Sequence, residues 1–71
     1  MPTNITAHIT GTVWKIETKV GASVAVGDTV VILESMKMEM PVEAEVAGKV
    51  AEVSCSEGQA VQEGQVLIVL E

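Results

Sequence analysis

The chain has 71 residues with four Lys, no Arg, ten acidic residues and one His, a formal net charge of −6. That balance argues against a nucleic-acid backbone or an anionic membrane surface as partner, since both need clustered Lys and Arg. The length supports a single small core, which disfavours a self-contained enzyme with a deep pocket, and the lone Cys55 cannot staple that core.

Thirteen Val, five Ile and six Thr against three Leu favour pleated, half-buried surfaces, so an all-β chain is expected. The start, Met1-Pro2-Thr3-Asn4, shows no signal peptide, and no apolar run is long enough to span a bilayer. With Cys55 free, a reducing, cytoplasmic setting is expected. The first predicted strand alternates Ile5, Ala7 and Ile9 against Thr6, His8 and Thr10. The second, over Thr12–Val20, sets Trp14, Ile16 and Val20 against Lys15, Glu17 and Lys19, and Trp14 is expected as a core anchor. Gly21 turns the chain into a short strand around Val24. A Gly27-Asp28 turn leads to Thr29–Glu34, which is apolar on both faces and is expected between layers.

A shift of 37 residues writes the same series again, laying Ile5–Glu34 on Val42–Glu71 without a gap. Eight of the 30 pairs are identical, and three of those pairs hold all six glycines, so the same turns are expected in both halves. Val42, Ala44 and Val46 alternate with Glu43 and Glu45; Lys49–Glu57, the Gly58 turn, a strand around Val61, the Gly64-Gln65 turn and Val66–Glu71 follow. The expected architecture is one domain over 1–71, with repeat halves 5–34 and 42–71 packed face to face. It is a flattened barrel-sandwich of about eight short strands in two halves related by a pseudo-two-fold. Trp14 meets Ala51 in the repeat, so asymmetric packing is expected there.

Between the copies lie seven unrepeated residues, Ser35-Met36-Lys37-Met38-Glu39-Met40-Pro41. They are expected to form a hairpin turn over 35–41 that projects the Lys37 amine into water. Glu34-Ser35-Met36-Lys37-Met38-Glu39 resembles the Met-Lys-Met attachment motif of biotinyl domains, the family of biotin carboxyl carrier proteins and biotin-dependent carboxylases. Gly11-Thr12-Val13 and the Val24-x-x-Gly27-Asp28 and Val61-x-x-Gly64-Gln65 turns resemble it too, so the likeness covers nearly the whole chain. Ser35 departs from the small Ala common before Met-Lys-Met, and Ala7-His8-Ile9-Thr10-Gly11 departs from Ala-Pro-Met-x-Gly. The resemblance implies the biotinyl/lipoyl barrel-sandwich, with biotin held as an amide on Lys37 after attack of the amine on biotinyl-AMP in a biotin protein ligase. It implies a non-catalytic carrier that moves carboxylate from biotin carboxylase to a carboxyltransferase, as a component of a carboxylase or decarboxylase system. It also implies that Met36, Met38 and Glu39 take part in recognition by ligase and carboxylase, although packing of the methionines over the barrel end is the simpler alternative. A lipoyl carrier, or a domain accepting either biotin or lipoate on Lys37, is the nearest rival.

No other residue suggests chemistry. His8 is a lone surface histidine, which disfavours a metal site. Cys55 has no visible activating partner. Glu43, Glu45, Glu52 and Glu57 read as a solvated acidic face rather than a catalytic pair, and no catalytic residue is expected.

Overall fold

A computed structural model describes residues 3–71; Met1 and Pro2, the first two residues of the expected domain, lie outside the described residues. Eight strands follow in order: β1 (Thr3–Thr6), β2 (Gly11–Ile16), β3 (Ser23–Val24), β4 (Thr29–Ser35), β5 (Met38–Glu43), β6 (Gly48–Val53), β7 (Ala60–Val61) and β8 (Val66–Leu70). They form two four-stranded antiparallel sheets, ordered β1-β8-β6-β3 and β5-β4-β2-β7. The 37-residue shift carries β2 onto β6 and β3 onto β7 residue for residue, and turns the first sheet order into the second. The all-β sandwich of eight strands in two pseudo-two-fold-related halves is thus the one expected.

The halves do not each form a sheet that packs on the other. Each sheet takes two strands from each half: β1 pairs with β8 and β3 with β6, while β5 pairs with β4 and β7 with β2. Within the first half only β2 and β4 are neighbours, so the backbone groups of β1 and β3 find strand partners only on the second copy. The cross-half bonds come in matched pairs. Ala7 N–H donates to the Gln65 carbonyl and Ala44 N–H to the Asp28 carbonyl, both at 2.9 Å. Val13 N–H donates to Gln59 and Val50 N–H to Ala22, both at 2.8 Å.

Trp14 is not a core anchor; 48% of its surface is exposed. In the β2–β4 ladder Val13 faces Leu33 and Lys15 faces Ile32, which leaves Trp14 as an extra, bulged residue. The bulge changes the parity of the strand. Val13 is fully buried and Ile16 packs against the core, while Trp14 and Lys15 both face out. The same bulge occurs in β6, where Val50 faces Leu70, Glu52 faces Val69, and Ala51 is the extra residue. The Trp14/Ala51 mismatch therefore lies on the outside, and no asymmetric core packing arises from it.

A second pair of bulges accounts for the apolar runs. Thr29 faces Glu43 and Val31 faces Val42, so Val30 is extra; Ile5 faces Ile68 and Thr6 faces Val66, so Leu67 is extra. Val30 with Val31, and Leu67 with Ile68, are buried side by side, whereas Ile32 and Val69 turn outward and are half-buried. Thr29–Glu34 and Val66–Glu71 are thus not buried on both faces, because a two-layer sandwich gives each strand one inner face. Val20 and Val46 are also exposed, since β2 ends at Ile16 and β5 at Glu43, and alternation does not extend to them.

The repeated glycines set the turns. Ala22 N–H donates to the Lys19 carbonyl at 3.1 Å across Gly21, whose φ is +91°, and Gln59 N–H repeats this to Ser56 across Gly58 at +88°. A positive φ at the third residue of a type II turn is cheap only for glycine. Gly11 serves differently: a Cβ there would stand 2.6 Å from the Glu34 carbonyl oxygen, so its absence lets β2 approach the end of β4. The counterpart contact, from Gly48 to the Glu71 carbonyl oxygen, is looser at 3.0 Å.

Two outcomes follow from this packing. Gly11→Ala should lower unfolding free energy in urea by about 1–3 kcal/mol, and by more than Gly48→Ala, because both clashes are with a backbone carbonyl oxygen and the one at Gly11 is the closer. Cys55 is buried, and burial pushes its thiol pKa up. Its alkylation should therefore be at least about 100-fold slower in the native protein than in denaturant, since access requires opening of the core; comparable rates would contradict the burial.

Candidate functional site

The seven unrepeated residues are not all turn. The β4–β5 ladder runs from Val31↔Val42 through Ile32↔Pro41, Leu33↔Met40 and Glu34↔Glu39 to Ser35↔Met38. Ser35 therefore ends β4, Met38 to Pro41 open β5, and only Met36 and Lys37 make the turn. Their φ angles are +52° and +64°, left-handed at both central positions, as a type I′ hairpin requires. Asn-Gly is the usual pair there, and each non-glycine residue costs about 1–2 kcal/mol in that region. The local sequence does not favour this turn; the arms impose it. Val31 and Leu33 on β4, and Val42 on β5, are buried on the inner face, which fixes the register up to the tip.

The hairpin brings together all four residues singled out in the sequence. Met36 is 92% exposed and Met38 60% exposed, and Lys37 and Glu39 are exposed. The methionines at 36 and 38 therefore do not cap the barrel; Met40, opposite Leu33, is the half-buried one. Alternation places Met38 on the Leu33 face of the hairpin and Glu39 on the other. The one ion pair among the described residues is Lys15–Glu17 at 3.5 Å, so Lys37 is held by no carboxylate there.

Sequence reasoning passed over Glu34 except as part of a motif. The register places it directly opposite Glu39, two exposed carboxylates side by side, an arrangement that opposes strand pairing. Only the two-residue loop length reveals that pairing, and Met-Lys carries no turn signal to announce it. Pro41 lacks an N–H and sits where it is tolerated, because β5 is the edge of its sheet.

The remaining candidates stay apart from this tip. His8 is exposed and lines a shallow groove between β1 and β5 with Ile5, Val26, Val42 and Glu45. Among the described residues no three His, Cys, Asp or Glu side chains gather as metal ligands would. What the tip offers chemically is one primary amine on a long side chain, unpaired and held clear of a rigid sheet.

A family model described as biotin-requiring enzyme matches residues 1–70. A biotin/lipoyl attachment protein of Bacillus subtilis is 44% identical over 66 residues, covering 93% of this chain and 90% of the relative. A biotinylated protein TB7.3 homolog of Mycobacterium leprae is 41% identical over 70 residues, covering 99% of each. Among solved structures, the Kluyveromyces lactis urea carboxylase matches with a TM-score of 0.93 and 35% identity, over 100% of this chain and 6% of that one.

If the arms impose the turn, relieving it should stabilise the domain. Met36→Asn, which tolerates the left-handed region, should gain about 0.5–1 kcal/mol and raise Tm by roughly 2–8 °C. Calorimetry checks this, and a lowered Tm would mean that Met36 makes a stabilising contact.

Proposed function

The chain belongs to the biotin/lipoyl attachment family, and on that premise we propose that it is a non-catalytic biotin carrier with Lys37 as its attachment residue. The family description and the biotinylated relative favour biotin over lipoate. The observation that carries the assignment to Lys37 is its place at the second position of the two-residue turn, exposed and without an ion pair among the described residues. Such a residue fits a covalently tethered group: its amine is reachable, and amide formation there disturbs no packing.

In the attachment step the Nζ lone pair forms an amide with the activated carboxyl of biotin. AMP leaves, and the amine's proton passes to solvent. Biotin, when bound, supplies a ureido nitrogen that accepts and releases carboxylate. The chain's own residues supply presentation. The four methylenes of Lys37 give reach, the paired arms of β4 and β5 fix its root, and tethering replaces free diffusion with a high local concentration at each partner. Amidation also removes one positive charge, taking the formal net charge from −6 to −7.

A biotin protein ligase would add the group, and a biotin carboxylase and a carboxyltransferase would use it. The fold match to urea carboxylase supports a carboxylase setting. Exposed Met36 and Met38 suit recognition because methionine is unbranched and polarisable and adapts to different partner surfaces. Glu39 adds an acidic contact on the opposite face of the hairpin. We place the protein in the cytoplasm, with the carboxylase enzymes; no helix among the described residues is long and apolar enough to cross a membrane.

Incubation with a biotin protein ligase, biotin and ATP should raise the intact mass by one biotinyl amide. Lys37→Arg should abolish the shift while leaving Tm within a few degrees, because an exposed turn cation is kept. A labelled Lys37→Arg protein would place the attachment elsewhere.

A further inference from the structure

The pseudo-two-fold supplies an internal comparison, because β2, β7, β4 up to Glu34 and β5 from Met40 have structural counterparts 37 positions away on the other sheet, two residues beyond where the sequence repeat itself begins. Inner positions match: Val13 with Val50 and Leu33 with Leu70, all essentially fully buried. Outer positions do not. On the hairpin sheet Ile32 faces Pro41 on β5 and Lys15 on β2, and the bulged Trp14 precedes Lys15, so Trp14, Ile32 and Pro41 mark an apolar row across the outer face with the Lys15 cation beside it. The counterparts of these three are Ala51, Val69 and Asn4 on the other sheet. Since the same bulge is built with Ala51, the fold does not need an indole at this position. Yet the only aromatic residue of the chain stands there, 48% exposed.

We propose that this outer face, centred on Trp14, is where the biotin protein ligase seats the domain while it modifies Lys37. The inference rests on the attachment reading above. Its position argues for it: Ile32 lies three residues before the end of β4, about 10 Å below the turn, on the strand that leads to Lys37. A ligase must bring its reacting carbon to Nζ itself, so it must grip the domain this near the tip, whereas partners that meet the group on its extended arm need not. Charge argues the same way. Between the apolar row and the tip, Glu34 and Glu39 face each other, and each repels the other until a cation comes between them. The occupant is therefore a protein surface with an apolar recess for the indole, bordered on the tip side by Arg or Lys. Trp is among the residues that most often dominate binding energy at such surfaces.

Initial rates of biotinylation of the apo protein by purified ligase, followed by intact mass, test this. Trp14→Ala should raise KM by at least about ten-fold with kcat within two-fold, and Trp14→Phe should recover part of the loss. Ala51→Trp, on the counterpart face, should change neither constant. Because Ala already fills the equivalent bulge, Trp14→Ala should keep the native Tm within a few degrees. An unchanged KM for Trp14→Ala, when the wild-type chain is labelled normally, overturns the docking face alone. A wild-type chain that is not labelled overturns the attachment reading and this inference with it. A defect confined to carboxylate transfer by the already biotinylated Trp14→Ala protein would assign the face to the carboxylase instead. A wild-type dimer that Trp14→Ala dissociates would assign it to a second copy of the chain; either result overturns the proposal.

Discussion

Val13 of the first copy donates its N–H to Gln59 of the second, and Val50 of the second donates to Ala22 of the first. Exchanges of this kind hold the molecule together. A strand of two residues, such as β3 or β7, has no stability of its own and persists only because a longer strand of the other copy completes its ladder. The buried valines and leucines supply the driving force, but backbone pairing decides which strands lie together. Neither copy can keep its backbone satisfied without the other. Folding and docking of the halves are accordingly one event, dominated by contacts far apart in sequence.

The repeated glycines and the alternation of Ile5, Ala7, Val42 and Ala44 were legible in the sequence because they are local. Backbone conformation at a turn and parity within one strand need no knowledge of a partner. The bulges were not legible. A bulge is a relation between two strands, and read alone Trp14 continues the apolar parity of Ile16. The turn at Met36 and Lys37 was hidden for a similar reason: its geometry comes from the register of the arms, while its own residues disfavour it. Lys37 could be found because it stands in the stretch between the copies that the repeat leaves unmatched. Glu34 could not be placed opposite Glu39 until the loop length was known.

The hairpin combines local features that each cost stability. Two non-glycine residues occupy the left-handed region, two carboxylates face each other in the second pair below them, and two methionines stand in water. Sequence patterns that oppose the fold cluster where a structure meets its partners. The core beneath can carry these costs because its inner positions are matched and filled on both sheets. Pro41 and the acidic residues beside it keep the edge strand β5 from offering a continuous ladder to other chains.

Thr3 faces Leu70 in the β1–β8 pair, so the two ends of the described chain come together. The pseudo-two-fold that exchanges the sheets carries that pair onto β5 and β4, and so carries the joined ends onto the site of the Lys37 hairpin. The β1–β8 end of one sheet and the working tip of the other are thus the same structural position used twice, with Met36 and Lys37 closing the second. A unit built this way is portable: polypeptide joined at the β1–β8 end would leave the lysine turn undisturbed.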